Sequence, residues 1–285
     1  MPAVESLEQE KNEKLWALRD LPPFPWIATK VLQLFGSRGD DVEIRRLIEL
    51  IRADASLGSE LLRRANSPLY GLRSRISSLQ HAVVILGLDQ VKTLSMTIGI
   101  GAYLKGALRL TVLRRCWRHS LTCAILAEEL APSCGIQADQ AYTAGLLHDI
   151  GRLALLVKYP QPYADLLSVV MENRFHLAQS ERDLFDVDHC EAGAWLAREW
   201  GFPEDLAQAA SLHHEPPNDG RFGLLRLVHV ACRLASSLGF EVVQPASPEE
   251  PSQILAELPK RALSALDGDV AALKERLTKK LNALE

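Results

Sequence analysis

Apolar residues recur at intervals of three and four along almost the whole chain, and stretches that alternate apolar and polar residues are scarce. That period lays one apolar stripe along a helix, so the pattern predicts an all-α fold. Near the start, Leu21-Pro22-Pro23-Phe24-Pro25 is too proline-rich to be helical at its centre and reads as a stiff entry to a helix from Trp26 to about Phe35. Asp40-Asp41 offers a cap for a helix that buries Val42, Ile44, Leu47, Ile48 and Ile51. Asp54 caps the next, through Leu57, Leu61 and Leu62, and Asn66 to Gly71 breaks it. Ser78 restarts a short helix that stops at Gly87, and Asp89 is expected to cap another running to about Leu104.

From Leu110 to about Leu238 the predicted helices lengthen and carry seven of the eight histidines. Gln244 to Pro251 is proline-rich and acidic and is expected to be an extended, solvated linker. The last helix carries Val270, Leu273, Leu277, Leu281 and Leu284 on one face. Such a stripe docks on its own core or forms a short dimerising coil, and docking is the simpler reading. The expected organisation is a leader over 1–20, a helical lobe over 21–105, a second helical domain over 106–240, and a linker with a terminal helix over 241–285.

Composition narrows the setting. Of 285 residues, 47% are hydrophobic, enough for a sizeable core, and the net charge of −4 supplies no global positive field to draw nucleic acid or anionic lipid. Arg63, Arg64, Arg73 and Arg75 gather around the Asn66 to Gly71 turn beside Tyr70, but Glu60 is close by. A solvated face, or one that docks an acidic partner, is favoured there over a nucleic-acid site. The five cysteines are scattered with no C-x-x-C pair, which fits reduced thiols in a cytoplasmic protein. No apolar run has the length of a membrane span.

The chemistry concentrates around Gly145-Leu146-Leu147-His148-Asp149-Ile150-Gly151-Arg152, where an adjacent histidine and aspartate are expected inside an apolar helix between two glycines. Burying both without partners costs several kcal/mol, of order 2–7 for each polar group. Imidazole nitrogen and carboxylate oxygen are ligands for divalent cations, and glycines admit another helix closely. His119 shares a helix face with Cys123, Leu126 and Leu130; His189 opens a helix after Asp186-Val187-Asp188; and His213-His214-Glu215 ends the following one. Any one of these histidines alone reads as a core residue; the ordered set does not. Ser120 beside His119 is no nucleophile with its base, since helix neighbours point about 100° apart. Trp195 and Trp200 recur with leucines and read as core.

With these residues in order, the chain resembles the HD phosphohydrolase superfamily, and within it the HDOD family (HD-related output domains), with HD-GYP phosphodiesterases as catalytic relatives. The resemblance spans about residues 21–240 and includes the proline-rich entry and the Ala65-Asn66-Ser67-Pro68 turn. It implies an HD-domain-like helix bundle with an amino-terminal lobe. It also implies a metal-ligand set of His119, His148 and Asp149, with His189, His213 and His214 as the additional histidines.

Three departures stand out. The late aspartate of catalytic relatives falls at Cys232, the lysine usual after the HD pair is Arg152, and no Gly-Tyr-Pro follows His213-His214-Glu215. Losing a hard anionic ligand weakens a magnesium or manganese site, whereas a thiolate would suit zinc. The resemblance therefore implies an output module that contacts other signalling proteins, with no membrane or nucleic-acid partner and with a homodimer through the terminal helix as the oligomeric option. Iron, zinc or manganese is the implied ion if one is kept. The alternative is a metal-dependent phosphohydrolase acting on a nucleotide or cyclic dinucleotide, in which Asp149 and Arg152 would be catalytic.

Overall fold

Sixteen α-helices and no strand are present among the described residues of the computed structural model, which are 16–18, 23–34, 41–72, 75–216, 220–244, 248–265 and 270–284. The first five helices are α1 (Trp26–Leu32), α2 (Asp41–Arg52), α3 (Ala55–Ala65), α4 (Leu79–Leu86) and α5 (Leu88–Leu104). The Leu21-Pro22 part of the entry, Phe35, the Asp40 cap and Arg73 lie outside the described residues. Asp54 caps α3 by accepting from the Leu57 amide at 3.0 Å, and Ser78 caps α4 by accepting from the His81 amide at 3.1 Å. The break after α3 is held by one side chain. Asn66 donates to the carbonyls of Leu62 and Ile76 and accepts from the Ile76 amide, which staples both ends of the turn.

The expected Asp89 cap is corrected. Gly87, with φ of 86°, ends α4 and directly precedes α5, so one glycine turns the chain and Asp89 falls inside the first turn of α5. The left-handed φ explains why a glycine holds that corner. The two helices meet there at 119°, and α5 is buried over most of its length, including Val91, Leu94, Met96 and Ile100. No single described helix is long and apolar enough to cross a membrane.

The following helices are built on α6 (Thr111–Cys134), against which α7 (Ala138–Leu147) and α13 (Leu224–Ala235) pack most extensively. Between them run α8 (Ile150–Lys158), α9 (Pro160–Asn173), α10 (Leu177–Phe185), α11 (His189–Glu199) and α12 (Glu204–Leu212). Two glycines set the spacing. A Cβ on Gly145 would lie 2.8 Å from Ala124 Cα and from the Cys123 carbonyl oxygen; one on Gly151 would lie 2.1 Å from the His189 carbonyl oxygen. Only glycine lets α7 reach α6, and α8 reach α11, this closely.

The carboxy-terminal segment folds back over α6 and α13 as α14 (Pro251–Leu255), α15 (Lys260–Ala265) and α16 (Val270–Leu284). Leu273, Leu277, Leu281 and Leu284 are buried within the chain. The solvated-linker expectation is corrected in part. Residues 248–250 are exposed, but the linker's last residue, Pro251, already opens α14, and Arg233 of α13 grips Glu249 and Glu257 in ion pairs. That paired guanidinium ties down the acidic run.

Candidate metal centre

The histidine–aspartate pair does not lie inside a helix as the sequence suggested. The axis breaks there: His148 closes α7, and Asp149, with φ of −97° and ψ of 23°, precedes α8. A break between helices lets both side chains turn to the same interior side, which neighbours on a continuous helix cannot do. Around them the fold brings His119 and Cys123 from α6, Cys232 from α13, His189 from the start of α11, and His213 from the end of α12. All are buried; His214, next in sequence, is exposed, yet its Nε2 lies 2.9 Å from His189 Nε2.

The imidazoles are oriented by their outer nitrogens. His119 Nδ1 lies 2.9 Å from the Phe240 carbonyl, His148 Nδ1 2.7 Å from the Gly145 carbonyl, and His213 Nδ1 3.2 Å from the Ala209 carbonyl. A carbonyl can only accept, so each Nδ1 carries the proton and each Nε2 turns its lone pair inward. Besides the donor Arg152 Nε, three acceptors of the centre have no hydrogen-bond partner: His148 Nε2, His213 Nε2 and Asp149 Oδ1. His213 Nε2 and Asp149 Oδ1 face each other at 3.5 Å, two acceptors in an arrangement that a cation would bridge.

On the other side of Asp149 the geometry changes. Arg152, buried, reaches Asp149 Oδ2 at 3.2 Å and His189 Nε2 at 3.0 Å. Glu181, also buried, accepts from the His189 amide at 3.0 Å, from His189 Nδ1, and from the Tyr163 hydroxyl. Burial alone would raise the Asp149 carboxyl, but Arg152 and the imidazoles of His148, His189 and His213 outweigh it and hold it below the usual carboxylate range. Glu181 is lowered too, because His189, Arg152 and Tyr163 overcome its burial. Burial and the Arg152 charge disfavour the charged form of His189, but Glu181 overrides both and draws it above its ordinary value. Burial, with His214 and His148 beside it, pushes His213 well below its ordinary value.

The sulfur side is softer. Cys232 Sγ lies 3.4 Å and Cys123 Sγ 3.6 Å from His119 Nε2. The hydrogen bond from Cys123 lowers the Cys232 thiol against its burial, helped by His119, whereas burial beside Cys232 raises Cys123.

The profile of the HDOD domain matches residues 21–216. The chain belongs to the HDOD family. An HDOD domain protein of unknown function from Geobacter sulfurreducens superposes over 96% of this chain and 99% of its own, with a TM-score of 0.77 at 23% identity. A Shewanella amazonensis protein provisionally named a metal-dependent phosphohydrolase superposes over 99% of this chain and 97% of its own, with a TM-score of 0.65 at 20% identity. In sequence, an uncharacterised protein of Treponema pallidum is 28% identical over 202 residues, and ribonuclease Y of Thermus thermophilus 31% identical over 147. Those matches take in 70% and 52% of this chain but only 38% and 20% of the relatives, so the HDOD chain spans well under half the length of either.

Within this HDOD fold all six residues expected as ligands, His119, His148, Asp149, His189, His213 and His214, lie around one centre with Arg152 and Cys232. Glu181 was not anticipated. Its signal was available: Leu177, Glu181 and Phe185 lie four residues apart on one buried row of α10, and an acid on an apolar row needs a buried partner. Cys123 was read only as a core companion of His119, although spacing of four on one helix places both side chains together.

Proposed function

We propose that this HDOD chain is a regulatory module of signal transduction that works by contact with other proteins, and that its buried centre orders the helices without turning over a substrate. The observation that carries this is Arg152. Two-metal hydrolysis needs one carboxylate to bridge two ions about 4 Å apart. Here one oxygen of Asp149 already faces a guanidinium at 3.2 Å, and the same guanidinium faces His189 Nε2 at 3.0 Å. A fixed cation thus stands where a second ion would draw its ligands, and a divalent ion beside it would meet strong repulsion in a buried site. Access argues the same way, since His119, His148, Asp149, His189 and His213 are all buried.

The donors fit a structural divalent ion, because the unpartnered buried atoms His148 Nε2, His213 Nε2 and Asp149 Oδ1 converge and the outer nitrogens of their imidazoles are held by carbonyls. Such an ion would tie the α7–α8 break to the end of α12 and make folding metal-dependent. The terminal arginines of α3 do not form a free basic face, since Arg63 and Arg64 both pair with Glu60.

A second reading, metal-dependent phosphohydrolysis, draws support from the same unpartnered donors and from the stretch shared with ribonuclease Y. The deciding experiment is a hydrolysis assay of the purified chain on RNA, nucleotides and cyclic dinucleotides with manganese, iron or zinc. No turnover above background is expected. Turnover that disappears in Asp149→Ala would overturn the regulatory reading.

A further inference from the structure

Beyond the six expected ligands, the centre holds two thiols that the HD-type site does not call for. Cys123 lies one helical turn after His119 on α6, and Cys232 enters from α13 at the place where catalytic relatives carry aspartate. The ligand atoms of His119, Cys123, His148 and Cys232 all lie within 4.8 Å of one another, and all four side chains are buried. Their separations decide what they suit. With metal–nitrogen bonds of about 2.05 Å and metal–sulfur bonds of about 2.3 Å, the nitrogen–sulfur edge of a tetrahedral zinc site is about 3.6 Å. The two His119–sulfur distances are 3.4 and 3.6 Å.

Hydrogen bonding accounts for only part of this arrangement. His119 Nδ1 is committed to the Phe240 carbonyl, so its Nε2 lone pair can take the Cys232 proton while Cys123 donates to Cys232, a chain that uses both thiol protons and leaves none for a further acceptor. His148 Nε2, buried in the same group, has no hydrogen-bond partner. The carboxylate that an HD site would contribute, Asp149, is by contrast neutralised by Arg152.

We propose that His119, Cys123, His148 and Cys232 form a closed His2Cys2 site for a zinc-class ion, displaced from Asp149 toward the sulfur side of the centre. Four protein ligands in a tetrahedral set leave no open position for water, which is the form of a structural zinc site. Two thiolates and two imidazoles select zinc or cobalt over manganese and magnesium. This inference rests on the structural-ion part of the regulatory reading and moves the ion from the Asp149–His213 side to the sulfur side, keeping only His148 in common.

The test loads the reduced full-length chain with cobalt(II) as a spectroscopic stand-in for zinc. Wild type should bind one ion, with the intense visible bands of tetrahedral cobalt and a sulfur-to-metal charge-transfer band in the near ultraviolet. That band should fall by about half in Cys123→Ser or Cys232→Ser, vanish in the double variant, and persist in Asp149→Asn. Zinc should displace cobalt, and excess manganese should not. Because wild type alone reports the thiolate band, the inference stays testable if a variant fails to fold. A wild-type complex without that band would overturn it, as would loss of cobalt in Asp149→Asn with retention in the cysteine double variant, or a Cys123–Cys232 disulfide in protein purified with reductant. None of these outcomes depends on hydrolysis, so failure here is distinguishable from failure of the regulatory reading.

Discussion

The two sides of the buried centre solve the same problem in opposite ways. On the carboxylate side, Glu181 accepts three hydrogen bonds, Arg152 lies between Asp149 and His189, and charge is matched inside the protein. On the histidine–sulfur side, lone pairs converge with too few protons to pair them, and His148 Nε2 and His213 Nε2 are left without partners. A matched buried network is self-sufficient but intolerant of losing any member, whereas an unmatched one is completed from outside. The difference teaches that one buried pocket can meet its charges with internal partners on one side while leaving unpartnered lone pairs on the other.

The strongest blow to both sides at once is Gly151→Ala. The added methyl would sit 2.1 Å from the His189 carbonyl oxygen and 2.4 Å from the Gly193 amide nitrogen, both backbone atoms that cannot swing away. The cost should exceed the roughly 1–3 kcal/mol typical of overpacking and abolish soluble folded protein, read by expression and circular dichroism. Normal folding would show that α8 and α11 are not held as closely as described.

Breaking only the carboxylate side should come next. Glu181→Gln removes the negative charge facing Arg152 and His189, and loss of one buried partner costs about 3–5 kcal/mol. Urea denaturation should show this loss. Arg152→Met combined with Glu181→Gln should be more stable than the sum of the single effects predicts, because the charges then leave together. Strict additivity would mean that the two groups are not coupled.

Acidity separates the two sides by sign. Burial and the neighbouring His214 and His148 hold His213 below its ordinary value, so it contributes a penalty that grows as pH falls beneath the unfolded histidine value of about 6.5. His148 behaves oppositely: burial disfavours its charge, but Asp149 and Cys232 raise it, so its stabilisation is complete below about pH 6.5 and is lost as pH rises through its folded value. Asp149 and Glu181, both lowered, stabilise above the unfolded carboxylate values near 4 and lose that contribution as pH falls further. Denaturation midpoints from pH 3 to 9 should therefore trace a dome with its maximum near pH 6.5. His213→Gln should flatten the limb that falls away below about pH 6.5. A steady rise from pH 5 to 9 in wild type would contradict these assignments.

The mildest change probes the entry to the carboxylate side. Asp188 caps α11, accepting from the Glu191 amide at 2.8 Å, while Glu191 accepts in return from the Asp188 amide at 3.1 Å. Asp188→Ala should cost about 1 kcal/mol, seen as a shift of the urea midpoint. A neutral result would show that Glu181 alone holds His189 in place.

How far the sequence reached follows the same physics. Local rules act within a few residues, so the caps at Asp54 and Ser78, the corner at Gly87 and the helix opened by His189 were legible from their neighbours. Asp89 misled because aspartate is a good cap in general, while the chain reversal required a left-handed residue two positions earlier. The helix break at His148-Asp149 was hidden because Gly145 to Arg152 reads as continuous helix and only the centre selects the interruption. Arg152 lies three residues after Asp149, a local spacing, but its bond to His189 spans 37 positions and carries no local signature. The proline-rich linker gave no hint that Arg233 would hold its acidic end.

The staple at Asn66 has a reach of its own. It closes the loop beside α3, where Arg64 bonds to the backbone carbonyl of Leu284 in the last turn of α16. The turn after α3 and the last turn of α16 thereby share one small latch. A ligand or partner that opened the Asn66 turn would loosen the grip on α16, whose leucines cover α6, the helix that carries His119 and Cys123.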